Sequence, residues 1–179
     1  KILLLGSLAE SKNSPLGSWR IAAEDNSAVS VLEGMNAYKG NNLKYVKGLH
    51  LTTEEPDFLT DVDYNMTDRS GFEEAKKAAK EADVVVMVLG EHAFSSGEAR
   101  SRTDLNLPGL QQEFLEEIYK VNPNIVLVLN NGRPLTINWA DKNIPAIVEA
   151  WHLGTQAGNA VAQVLYGDYN PSGKLPMTF

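Results

Sequence analysis

The sequence predicts an α/β domain built on a parallel-dominated sheet with helices on both faces. Three observations carry that expectation. Val84-Val85-Val86-Met87-Val88-Leu89 and Ile125-Val126-Leu127-Val128-Leu129 are unbroken apolar runs rich in β-branched residues, the pattern of strands buried on both faces. Amphipathic helical stripes stand between and beside these runs. Strand and helix patterns then alternate along nearly the whole chain, which is the order that parallel crossovers require.

Each element follows from its residues. Ile2-Leu3-Leu4-Leu5, ended by Gly6, reads as a buried strand. Residues 7–26 read as loop, Ser-rich, with Pro15, Gly17 and the pair Trp19-Arg20. Ser27 is the expected N-cap of a helix whose apolar face is Ala28, Val31, Leu32 and Met35. Asn41-Asn42 turn the chain into the strand Leu43-Lys44-Tyr45-Val46. Residues 48–69 show no period, hold many acids, and read as a surface excursion. Ser70 and Glu73 stand at capping-box spacing before a helical face of Phe72, Ala75, Ala79 and Ala82.

The strand at 84–89 leads through Gly90 into a long polar loop, Glu91 to Asp104, closed by Pro108-Gly109. Leu110, Phe114 and Ile118 form the next helical stripe, stopped at Asn122-Pro123-Asn124. After the strand at 125–129 comes Asn130-Asn131-Gly132-Arg133-Pro134, then an expected strand over residues 146–151. Gly154 and Thr155 are expected to open a helix with Ala157, Ala160, Val161, Val164 and Leu165 inward. The tail, residues 167–176, is turn chemistry leading toward an edge strand. No internal repeat or low-complexity segment is present.

Composition bounds the function. A chain of 179 residues supports one domain with its own core. The net charge of −7 and the lack of any basic run argue against nucleic-acid or anionic-membrane partners. With no cysteine there are no disulfides, thiolate metal sites or thiol nucleophiles. No apolar run reaches bilayer-spanning length. The chain opens on a strand without an initiator Met or signal-peptide pattern, so it reads as a piece of a longer protein.

Several chemistries lack their motifs. Gly6-Ser7-Leu8-Ala9 matches neither the dinucleotide fingerprint nor a Walker A loop. Clustered acids after the first strand and a G-x-S-x-G elbow are both missing. His50, His92 and His152 have no second ligand at helical spacing, so no metal is expected, and Glu91 and His92 should point apart. His152 reads as a hydrogen-bonded structural residue.

The long loop leaving the strand at 84–89 is where an open α/β sheet places its chemistry. Glu98 sits there between Gly97 and Ala99, with Arg100 and Arg102 nearby. As a residue it reads either as a solvated acid paired to an arginine or as a general acid/base carried by a mobile loop. Trp19 reads either as a loop aromatic tucked into the core or as a face that stacks on a sugar ring.

Four stretches, in order, carry a resemblance: Pro15-Leu16-Gly17-Ser18-Trp19; Glu98 through Pro108; Val128 through Pro134; and Gly167-Asp168-Tyr169-Asn170-Pro171-Ser172-Gly173-Lys174-Leu175-Pro176. Together they resemble the C-terminal α/β-sandwich domain of glycoside hydrolase family 3, nearest to bacterial periplasmic β-glucosidases. The resemblance covers essentially the whole chain, residues 1–179, as one such domain. It implies an N-terminal barrel elsewhere in the polypeptide that supplies the Asp nucleophile. It further implies Glu98 as acid/base, Trp19 as an aglycone-side contact, and Glu91 as the competing carboxylate. Arg100, Arg102 and Asp104 are then loop anchors through Arg–carboxylate pairing.

The implied reaction is retaining hydrolysis of a terminal β-glucosyl unit in β-glucosides or oligosaccharides, with no cofactor. The implied location is periplasmic or secreted, and the isolated chain is expected to be inactive. The competing reading is a noncatalytic domain of the same ancestry that supports a barrel or binds carbohydrate.

Overall fold

Five strands, β1 (Ile2–Leu5), β2 (Leu43–Val46), β3 (Val84–Gly90), β4 (Ile125–Asn130) and β5 (Ala146–Glu149), form one sheet in the order β2-β1-β3-β4-β5. Every pairing is parallel. This arrangement comes from a computed structural model that describes residues 1–20 and 22–179; the loop expectation at Ile21 lies outside the described residues.

The alternation of each strand divides the core in two. Leu3, Leu5, Val85, Met87, Leu89, Ile125, Leu127 and Leu129 point to one side, against α2 (Phe72–Lys80), α3 (Gln111–Val121) and α4 (Asn138–Asn143). Leu4, Val86, Val88 and Val128 point to the other, against α1 (Val31–Asn36) and α5 (Ala157–Tyr166). Both faces of β3 and β4 are therefore covered, which is why their sequences carry no polar alternation.

Several local expectations shift. The N-cap of α1 is Ser30, not Ser27: Ser30 Oγ accepts from Glu33 N at 3.1 Å and Glu33 Oε2 accepts from Ser30 N at 2.9 Å. That reciprocal pair satisfies two orphan donors, whereas Ser27 has no glutamate at the matching distance. Ser70 does not cap α2; Gly71 occupies that position and no side chain caps it. α5 begins at Ala157 after a short turn, Gly154–Gln156. Its inward set is Ala157, Gly158, Val161 and Ala162, with Ala160 exposed. The cause is close helix contact: a Cβ on Gly158 would lie 1.9 Å from Ser30 O, so this side of α5 is turned onto α1.

The strand expected over 146–151 stops at Glu149, because Trp151 takes φ 48°, outside extended geometry. Helix α4 carries no long apolar stripe and was not expected. The tail forms no edge strand among the described residues; Phe179 instead packs edge-on against Trp151, 5.4 Å between centroids. The 48–69 segment is not a free excursion. Leu49, Leu51 and Asn65 are buried, and Thr52 and Tyr64 bridge antiparallel. Asn65 fastens it by donating to His50 O and Asp68 O, while Leu110 N donates to Asn65 O at 3.2 Å.

Candidate active site

The C-terminal ends of β2, β1 and β3 lie side by side. From β1 the chain leaves toward the α1 face, and from β3 toward the α3 face, so the loops after these neighbouring strands part and leave a crevice. Three loops meet there: residues 7–30 after β1, residues 47–71 after β2, and residues 91–110 after β3.

Beneath the crevice lies a buried ionic node. Glu91, fully buried, follows Gly90 at the end of β3, and its N–H donates to Asn130 O at 2.9 Å. Arg102 Nη1 donates to Glu91 Oε1, and Arg133 Nε stands 3.3 Å from Oε2 as an ion contact without hydrogen-bond alignment. Arg102 also donates to Asn106 O at 3.2 Å and lies over the Tyr64 ring at 5.9 Å. Arg133 Nη2 donates to Ser95 O and, at 3.5 Å, to Arg100 O. A buried carboxylate is tolerable only with such partners, and these partners hold the long loop at its start, middle and end. Gln111 adds a clamp, since Gly90 N donates to its Oε1 at 2.9 Å and its Nε2 donates to Gly90 O at 2.7 Å.

The Asn130–Pro134 stretch is the seat on which this loop rests. A Cβ on Gly132 would fall 2.0 Å from Ser96 Oγ and 2.9 Å from His152 Cε1, so only glycine lets the loop close down there. Asn131, fully buried, donates to Arg133 O at 2.8 Å. Asn130 Nδ2 donates to Trp151 O at 2.5 Å. Glu149 accepts from Trp151 N at 2.8 Å and from Asn131 Nδ2 at 3.4 Å; burial pushes its carboxyl up to about 7.

Above the node the loop is open. Glu98 is exposed and borders a cleft of about 300 Å³ shared with Trp19, Phe58, Phe94, Ala99 and Arg100. Trp19 is 62% exposed, so it is a rim residue and not a core residue. The two rims touch: a Cβ on Gly97, at φ 112°, would lie 2.5 Å from Ser18 Oγ. Ala99 adopts φ 58°, a left-handed position that costs a non-glycine residue energy and that the loop anchors must hold. Among the described residues no ion pair involves Glu98. Its neighbours are engaged elsewhere: Arg100 Nη1 reaches Asp61 at 3.2 Å, and Arg102 is bound to Glu91.

Asp104 departs from the pairing expected of it. Its Oδ1 accepts from Asn106 N at 2.9 Å, a local turn bond in place of an arginine contact. Its side chain is thus an anchor of backbone and not of charge.

His92 and His152 sit close to these loops. Glu91 and His92 do point apart, the first to the two arginines, the second toward Phe94, whose N–H donates to His92 Nδ1 at 3.2 Å. Burial first, then the Arg20 charge and His152, push His92 down to about 4, so it is neutral at pH 7. His152 differs from expectation: among the described residues its buried Nε2 has no hydrogen-bond partner, and burial lowers its pKa. Among the described residues no group of three or more His, Cys, Asp or Glu is placed to hold a metal.

Chemically, the cleft sets the exposed Glu98 carboxyl beside an exposed indole, near a buried carboxylate held by two guanidinium groups. Sequence reading reached Glu98, Trp19 and the arginines of the loop. It missed Arg133 and Gly132, whose only signal was the Asn-Asn-Gly-Arg-Pro turn, and Gln111, Tyr64 and Phe58, which stand in elements with other apparent roles.

Comparison with known proteins places this geometry in context. Residues 1–179 match the family described as glycosyl hydrolase family 3 C-terminal domain. The chain is 41% identical over 187 aligned residues to a periplasmic beta-glucosidase of Salmonella typhimurium, covering 99% of this chain and 24% of that protein. It is 43% identical over 153 residues to a beta-xylosidase of Formosa agariphila, covering 84% of this chain and 19% of that protein. A mutant beta-glucosidase from Listeria innocua in complex with laminaribiose superposes with a TM-score of 0.84 at 32% identity, covering 100% of this chain and 22% of that one. The chain thus spans about a quarter of the length of such relatives.

Proposed function

This chain belongs to the glycosyl hydrolase family 3 C-terminal domains, and from that premise we propose that residues 1–179 are one such domain, carrying the acid/base of a retaining β-glucosidase. The observation that carries the proposal is the division between two carboxylates of one loop: Glu98 borders the cleft with no ion pair among the described residues, and Glu91 is locked between two arginines. The rest of the active site, including the Asp nucleophile, is assigned by family resemblance to an N-terminal barrel of the same polypeptide. The substrates are β-glucosides or oligosaccharides, and the isolated chain is inactive. The enzyme works in the periplasm or outside the cell, a reading supported by its similarity to the periplasmic beta-glucosidase of Salmonella typhimurium. No helix among the described residues is long and apolar enough to cross a membrane.

Two steps share Glu98. Protonated, it gives its proton to the glycosidic oxygen as the barrel carboxylate bonds to the anomeric carbon and the carbon–oxygen bond to the leaving group breaks. As carboxylate, it then takes a proton from water while the water oxygen bonds to the same carbon and the ester to the nucleophile breaks. An exposed carboxylate on an anchored loop can meet solvent and substrate in turn. Trp19 offers its face to the aglycone.

The test uses the full-length enzyme carrying Glu98→Gln. Disaccharides with poor leaving groups should lose about 10²–10⁴-fold in kcat/KM, the usual worth of general acid catalysis. A dinitrophenyl glucoside, which departs without a proton, should keep its glycosylation rate and show a pre-steady-state burst. Uniform loss across leaving groups contradicts the assignment.

A further inference from the structure

The segment after β2 does more at the cleft than its composition announces. Phe58 stands on it, 44% exposed, and lines the same cleft as Trp19. Its ring meets buried Phe94 edge-on, at 5.6 Å and 82°. Arg100 fixes it there: one guanidinium nitrogen donates to Phe58 O and another reaches Asp61. Arg100 is itself largely sheltered, while Asp61 is fully exposed, so the bond to the Phe58 carbonyl is the better protected of the two. The same loop that bears Glu98 therefore carries the residue that positions Phe58. Three consecutive βα loops thus line one cleft, and among their side chains there are Trp19, Phe58 and Glu98.

We infer that Phe58 is a specificity-determining residue that contacts the leaving group, and that it favours aryl over small alkyl aglycones. The inference rests on the reading of Glu98 as acid/base, because it takes the cleft beside Glu98 as the leaving-group side. A flat apolar ring entering between Trp19 and Phe58 meets aromatic surface on two walls and buries apolar area on both. A methyl aglycone is too small to span them. Arg100 acts as a positioning residue, through the Phe58 backbone.

The experiment measures kcat/KM of the full-length enzyme on phenyl β-glucoside and methyl β-glucoside, for wild type, Phe58→Ala and Phe58→Tyr. Phe58→Ala should lower the phenyl value about 2–10-fold, the worth of one aromatic contact, and leave the methyl value within about 2-fold. Phe58→Tyr, which keeps the ring, should restore the phenyl preference. Equal losses on both substrates overturn the inference, since Phe58 would then act through the loop and not on the aglycone; so does an unchanged ratio. Glu98→Gln run beside these variants separates the two readings: uniform loss across its leaving groups removes the acid/base assignment, while the Phe58 ratio still reports contact with the aglycone.

Discussion

Glu91 and Glu98 lie on one loop, seven positions apart in the sequence, and meet opposite conditions. Glu91 is sealed at the end of β3 between Arg102 and Arg133, and its charge organises the backbone around it. Glu98 stands on the rim with solvent on one side and the cleft on the other. A third carboxylate completes the comparison. Glu149 is half-buried, accepts N–H groups from Trp151 and Asn131, and among the described residues takes part in no ion pair. Burial with cations suits a fixed anchor, burial without them favours the neutral acid, and exposure leaves a carboxyl free to change state during a reaction.

The largest effect should come from breaking the anchor. Glu91→Ala removes the buried carboxylate that both guanidinium groups contact and should destabilise the domain by about 3–5 kcal/mol, read as a lower Tm. Activity should fall for all leaving groups alike, because the loop as a whole loses its seat. A leaving-group-dependent loss at Glu91 would exchange the roles assigned to the two acids.

The anchor also shows what was legible in the sequence and what was not. Apolar runs announced β3 and β4 because a doubly covered strand admits few polar residues, and the loop after β3 was located by its place in the fold. Arginine–carboxylate anchoring was expected from Arg100 and Arg102, but their partners, Asp61 and Glu91, could not be paired without coordinates. Arg133 and Gly132 were hidden for a similar reason: the turn Asn130–Pro134 signals its backbone, and only the folded chain brings Ser96 and His152 against it. Helix caps were misplaced by a few residues where serines compete, as Ser27 and Ser30 do. Phe58 was unreadable because its segment has no periodicity, and its position depends on a carbonyl bonded to Arg100.

A smaller effect belongs to the rim. Trp19→Ala should cost about 0.5–1.5 kcal/mol of transition-state binding for disaccharides and aryl glucosides, with a smaller loss for methyl β-glucoside and Tm nearly unchanged because the ring is mostly exposed. A fall in Tm with no substrate selectivity would move Trp19 from the rim account to the core.

A pH profile tests the third carboxylate. In the folded chain the Glu149 carboxyl is raised to about 7 from an ordinary 4.5. Between those values the folded state keeps a proton that the unfolded state releases, so stability is highest below 4.5, declines as pH rises toward 7, and levels off above it. Asp141 and Lys174 border the same hollow. The Tm of wild type minus that of Glu149→Gln should therefore drop across that window and then become constant. A flat difference would place a compensating charge beside Glu149.

The division of labour between Glu98 and Glu91 is tested most directly by azide, which attacks the covalent intermediate without a base. In the full-length enzyme, Glu98→Gln on a dinitrophenyl β-glucoside should regain turnover as azide is added and yield β-glucosyl azide, whereas Glu91→Gln should gain nothing and yield only glucose. Azide rescue of Glu91→Gln, with none for Glu98→Gln, would contradict the account and make the buried carboxylate the acid/base.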